Sequence, residues 1–298
     1  MTYSIVARDP GTGQLGVAVQ SCFFAAGLIT PYLEPGVGAV VSQAFADPSY
    51  GVLGLDLMRS GCSARETLDA LLVIDADRDL RQVAVVDAEG EVAAHTGRAC
   101  VAEAGHVEGL GFSVQANMML NDTVPAAMKE AYVRGDGDFA ERLVQAMEGA
   151  QREGGDFRGV QSAGLVVVSG DRHARPWEGR VFHIRVDDHA EPLAELRRLL
   201  DLARGYGAME RAMERLRVLD LEGAEGQVAE AIARLPRVIE PTLMRVALLV
   251  LAQRLAEARS CVRSFGGDRA LLELALRRHA ATGTFPADQA LLAELLAP

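Results

Sequence analysis

The chain has 298 residues, of which 49% are apolar, 5% aromatic and 24% charged, with a net charge of −11; this is the composition of a globular protein, not of a disordered or fibrous one. The acid excess lies wholly in residues 1–189, with 26 acidic and 15 basic side chains against 15 of each in 190–298, so a phosphate backbone is repelled there and no nucleic-acid partner is expected. The longest apolar run, 243–251, is broken by Arg245 and too short to span a bilayer, and the first residues lack a signal peptide's basic flank and apolar stretch; a cytoplasmic protein without a membrane partner is expected.

β-Branched and small residues predict strands at 3–7 and 15–20, joined by Asp9-Pro10-Gly11-Thr12-Gly13. Gly11-Thr12-Gly13-Gln14-Leu15-Gly16 matches the letters of a dinucleotide fingerprint, but that fingerprint must open a helix. Here an alternating strand follows, so the segment reads as a hairpin turn and no cofactor is expected. A strand at 38–43 comes next, then helices at 50–59 and 64–74, strands at 83–87 and 112–115, helices at 124–134 and 139–153, and strands at 163–168 and 181–186. Strands grouped with paired helices predict stacked layers, sheet against sheet with helices outside.

From residue 190 the texture shifts to Leu, Ala, Arg and Glu at helical spacing, with breaks at Gly223, Pro236, Gly266-Gly267 and Gly283 with Pro286. Five or six short antiparallel helices are predicted, a degenerate helical-hairpin bundle. The expected domains are therefore 1–189 and an all-α unit at 190–298.

Cys22, Cys62, Cys100 and Cys261 show no paired spacing, and His95, Cys100 and His106 fit no zinc pattern; reduced thiols and no metal are expected. His95 and His106 could act as bases but nothing positions them, so they read as structural or peripheral, and Cys22 reads as a buried, inert thiol rather than a reactive one. No GxSxG elbow, P-loop or HExxH occurs.

The first strand is where chemistry is expected. Removal of Met1 would leave Thr2 with an α-amine beside its own hydroxyl, and such an amine can take the hydroxyl proton near neutral pH. Around this nucleophile the reading assigns Ser21, at the end of the second strand, to the amine or to an ordinary strand end. Gln43 and Asn117 also end strands; each offers amide donors to an oxyanion or substrate carbonyl, or caps a turn. Asp156, Arg158, Gln161 and Ser162 form a polar loop: Ser162 could support the amine, and Arg158, paired with Asp156, could bind a substrate carboxylate, unless the loop is simply solvated. Arg81 is the other candidate for focusing positive potential on a substrate.

The blocks Thr2-Tyr3-Ser4-Ile5-Val6-Ala7-Arg8-Asp9-Pro10, Gly36-Val37-Gly38-Ala39-Val40-Val41-Ser42-Gln43, Arg81-Gln82-Val83-Ala84-Val85-Val86-Asp87, Gln115-Ala116-Asn117-Met118 and Gly154 to Ala163 together resemble the domain-of-unknown-function 1028 family. The resemblance implies the four-layer αββα sandwich (α+β) of N-terminal-nucleophile hydrolases, followed here by the all-α unit. It implies no substrate. Lys129 is the sole lysine, so no early-strand lysine can tune the threonine, which favours a small-amide or peptide hydrolase over a proteasome-type peptidase. Family relatives also imply self-association. The competing reading is a sandwich without turnover, its helical tail binding a protein or a cell-wall fragment.

Overall fold

The computed structural model describes residues 2–173 and 175–297. These form two compact units, Met1–Leu199 and Leu200–Pro298.

In the first unit, β1 (Thr2–Arg8) and β2 (Leu15–Ser21) form the predicted hairpin. Its turn is closed by Asp9, whose carboxylate accepts from the Thr12 N–H and hydroxyl, and by Gly13 at φ 72°. The glycine-rich letters thus serve a turn that only glycine enters without strain. There follow α1 (Ala26–Ile29), β3 (Pro31–Glu34), β4 (Gly38–Ala44), α2 (Pro48–Arg59), α3 (Ala64–Ile74), β5 (Arg81–Asp87), β6 (Val92–Thr96), β7 (Gly105–Gly109), β8 (Phe112–Ala116), α4 (Val124–Arg134), α5 (Phe139–Arg152), β9 (Ser162–Val168) and β10 (Arg180–Val186). Local chemistry sets the helix starts: Asp47 caps α2 ahead of Pro48, Ser63 and Glu66 form a capping box on α3, and Asp138 caps α5.

All strand pairs are antiparallel. Six strands order as β10-β9-β2-β1-β8-β7 and four as β3-β4-β5-β6. The two sheets face each other across Val6, Leu15, Val17, Val166 and Val168 on one side and Ala39, Val41, Ala84 and Val86 on the other. Helices α2 and α3 cover the outer face of the smaller sheet, where Tyr50, Leu68 and Leu71 meet Val40, Val83 and Val85. Helices α4 and α5 cover the larger one. Gly27 of α1 lies so close to Gly164 of β9 that a Cβ on Gly27 would stand 2.9 Å from the Gly164 Cα.

The division between units falls at Leu199 rather than 189, within the 26-residue α6 (Pro192–Arg217). Leu196 is fully buried, and Arg197 bonds Glu141 and Glu148 of α5. The second unit continues with α7 (Leu221–Arg234), α8 (Ile239–Leu251), α9 (Leu255–Arg263), α10 (Arg269–Ala281) and α11 (Gln289–Leu295) around Val246, Leu249, Val262, Leu272 and Leu276. One predicted break moves: Gly223 lies in the first turn of α7, its N–H capped by Asp220, and the chain turns earlier, at Leu219 with φ 60°. Among the described residues no helix is long and apolar enough to cross a membrane.

Candidate active site at the start of β1

Because β1 lies inside the larger sheet, Thr2 has neighbours on both sides. Register pairs Thr2 with Ser21 on β2, and Ser21 with Ser162 on β9, so three hydroxyls stand in one row on the face toward the other sheet. The Thr2 hydroxyl donates to Ser21 Oγ at 3.2 Å. Thr2 is 5% exposed and Ser21 and Ser162 are fully buried. Met1 lies outside the described residues, as does the expectation that it is removed.

The carbonyl of Thr2 is held by three donors: the Asn117 N–H at 3.1 Å, the Asn117 Nδ2 at 3.2 Å and the Gln43 Nε2 at 3.2 Å. Gln43 Nε2 and Asn117 Nδ2 also both donate to Gln82 Oε1, at 2.7 and 2.8 Å. Each amide nitrogen has two hydrogens, and in this arrangement both are engaged in fixing the strand start.

A directional chain runs through the cluster. Ser113 donates to Gln115 Oε1, Gln115 Nε2 to Ser4 Oγ, and Ser4 Oγ to Gln43 Oε1 at 2.6 Å. Gln82 Nε2 then donates to Thr96 Oγ1 and to the Ala116 carbonyl, each at 2.9 Å, and Thr96 meets His106 Nδ1 at 2.8 Å. Gln43, Gln82 and Thr96 come from the smaller sheet; Thr2, Ser4, Gln115, Asn117 and His106 come from the larger. A fully satisfied buried network of this kind specifies one arrangement of its members. Burial holds the His106 ring below its ordinary pKa; the opposing Glu108 charge is outweighed, and His95 and Arg65 lower it further.

The other predicted residues border this cluster. Ser162 Oγ donates to the Phe23 carbonyl at 2.6 Å and accepts from the Ala26 N–H at 3.0 Å, pinning the loop after β2. Asp156 accepts from the Cys22 N–H and takes the Arg158 guanidinium and N–H. Arg158 therefore has a carboxylate partner in its own loop. Gln161 extends the ladder by donating its N–H to the Ser21 carbonyl, while its side chain turns to Asp188. Arg81 is not brought to Thr2: it bonds Asp75 at 2.9 Å and the Phe45 carbonyl, with Asp47 and Asp77 3.8 Å away. His95 meets the Arg78 carbonyl, and burial raises the Cys100 thiol's pKa; among the described residues no three His, Cys, Asp or Glu side chains converge as metal ligands.

Five non-glycine residues among those described adopt positive φ, and three border the site: Ala25, Ala44 directly after Gln43, and Met118 directly after Asn117. Each left-handed residue costs on the order of 1–2 kcal/mol, and such strain gathers at functional sites. Two open concavities, about 530 Å3 between α4 and α5 and about 560 Å3 beside His95, are lined by other residues and hold no comparable hydroxyl cluster. Sequence reasoning missed Ser4, Gln82, Gln115 and Thr96. The available signal was glutamine or serine at inward positions of otherwise apolar strands.

Two facing antiparallel sheets with helices on their outer faces define the class: a mixed α+β protein with a buried polar cluster at the opening of its first strand, followed by a helical region. The chain belongs to the family of unknown function DUF1028, whose model matches residues 2–196. It is similar to the crystal structure of protein SPO2555 from Silicibacter pomeroyi, placed in that same family, at 29% identity and a TM-score of 0.61, over 68% of this chain and 88% of that one. Among curated proteins none matches.

Proposed function

We propose that the chain is an N-terminal-nucleophile hydrolase that cleaves a small amide or peptide bond with Thr2 after loss of Met1. The supporting observation is the Thr2–Ser21 hydroxyl pair at a strand start whose carbonyl is fixed by three donors. In this reading the freed α-amine takes the Oγ1 proton, and Oγ1 bonds to the substrate carbonyl carbon. The C–N bond breaks as the ammonium returns the proton to the leaving nitrogen. Water, deprotonated by the same amine, then cleaves the threonyl ester and restores the hydroxyl.

Ser21 orients the nucleophile. Gln43 and Asn117 are positioning residues that keep the strand start from moving, which matters because small misplacements cost large factors in rate. The pairing of Arg158 with Asp156 shapes the loop covering Cys22. Neither metal nor cofactor enters these steps.

Intact mass of the purified protein, before and after an amine- and hydroxyl-directed electrophile, tests the reading. Loss of Met1, one stoichiometric adduct mapped to Thr2, and its disappearance in Thr2→Ala are expected. Retention of Met1 would sink the mechanism and leave the sandwich as a binding module.

A further inference from the structure

We infer that the substrate presents an apolar, aromatic-sized group beside its scissile amide, and not a carboxylate. The inference rests on the Thr2 reading and narrows it to a substrate class. The chain has nine phenylalanines. Four of them, Phe23, Phe24, Phe45 and Phe157, are more than half exposed, as is Leu120; the other five are buried or half-buried.

All five exposed side chains are tethered to groups that touch Thr2 or its partners. Phe23 and Phe24 lie two and three residues beyond Ser21, Phe45 two beyond Gln43, and Leu120 three beyond Asn117. Phe157 donates its N–H to the Met118 carbonyl, next to Asn117. At about 3.3–3.6 Å per extended residue, each lies within roughly 11 Å of a group in contact with Thr2. We take these segments together as the rim of the Thr2 site, and each is also held in place. Ser162 fixes the Phe23–Ala26 turn from both ends, and Ala25, Ala44 and Met118 sit in left-handed turns at the three rim segments. A preformed apolar rim saves the ordering cost that a loose one would impose on binding, and large apolar side chains left exposed near one site mark recognition surfaces.

Charge points the same way. The two guanidinium groups singled out in the sequence for a substrate carboxylate or for positive potential already hold carboxylates, Arg158 that of Asp156 and Arg81 that of Asp75. Residues 1–189 carry 26 acidic against 15 basic side chains, which repels an anionic substrate further. An aspartyl or glutamyl amide would have to compete with Asp156 or Asp75 for those guanidinium groups, whereas an aryl or branched aliphatic group would bury apolar surface against the rim.

The test uses the full chain, with Met1 loss checked by mass. The probes are 4-nitrophenyl acetate, 4-nitrophenyl 3-phenylpropionate and mono-4-nitrophenyl succinate. The readout is the rate of Thr2 acylation, mapped by peptide mass and divided by each ester's hydrolysis rate in buffer. Acylation about tenfold or more faster with phenylpropionate than with acetate is expected, with succinate slower than acetate. In Phe24→Ser/Phe157→Ser, whose exposed sites should leave the melting temperature unchanged, the phenylpropionate-to-acetate ratio should fall several-fold. Equal rates across the series, or succinate fastest, would overturn this inference and leave Thr2 as the nucleophile. A double variant that changes the oligomeric state without changing the ratio would assign the rim to a second copy and overturn it as well. No acylation of Thr2 by any ester would overturn both readings.

Discussion

At the scale of single residues, Gln82 is the keystone of the polar cluster. Its oxygen receives both amides that hold the Thr2 carbonyl, and its nitrogen binds Thr96 and the main chain of β8. Gln82→Leu keeps approximate size but leaves two buried donors unsatisfied, at about 1–3 kcal/mol for each group. Urea denaturation should register a loss of about 2–4 kcal/mol, and an unchanged midpoint would show the network to be slack. His106 supplies a second prediction. Its folded pKa lies below 6.5 because burial disfavours the charged ring, while the Glu108 charge opposes and His95 and Arg65 assist. The unfolded chain therefore binds the proton more readily, so His106's contribution to stability is complete above pH 6.5 and declines as pH falls below it. Chemical denaturation between pH 7.5 and 5 should follow that decline, and His106→Gln should flatten part of it.

At the scale of elements, the close pair Gly27–Gly164 sets how α1 rests on β9. Gly164→Ala would bring a Cβ within 2.7 Å of the Gly27 Cα, and backbone cannot yield as a flexible side chain does. A loss of about 1–3 kcal/mol is expected in thermal melts, together with slower acylation of Thr2, because the same segment carries Phe23 and Phe24. Element legibility followed burial except at β10, an exposed edge strand whose Val181, Ile184 and Val186 still carry the β-branched signal. The inner strands β1, β2, β4, β5, β8 and β9 read as apolar runs because both their faces are covered. The three strands not predicted, β3, β6 and β7, all lie at sheet edges, where Pro31, His95 and the Gly105–Gly109 pair replace the β-branched signal, as edges that must avoid further pairing tend to do. Thr2, Ser21, Gln43 and Asn117, which the structure brings together, were singled out because each lies at or beside the end of a strand. Gln82 and Ser4 were not, since nothing local tells a mid-strand amide that its partner lies on the opposite sheet.

At the scale of the whole molecule, α6 carries the division between the two units, and Arg197 ties its first turns to α5 through Glu141 and Glu148. A chain ending at Leu199 keeps that tie and buried Leu196; one ending at residue 189 loses both. The longer truncation should unfold cooperatively in differential scanning calorimetry, and the shorter one should melt lower by several degrees. Aggregation of the longer piece would mean that residues 1–199 do not fold on their own.

The cross-sheet cluster has one more consequence. The Thr2 carbonyl is gripped by Asn117 from its own sheet and by Gln43 from the other, so the aim of the threonine depends on the register between two layers. A sideways slip of even one ångström between the layers would release one hand of that grip while leaving the hydrocarbon contacts largely intact. If Thr2 is the nucleophile proposed above, its acylation becomes a vernier for layer alignment, and it should fade under mild heat or denaturant before any spectroscopic sign of unfolding.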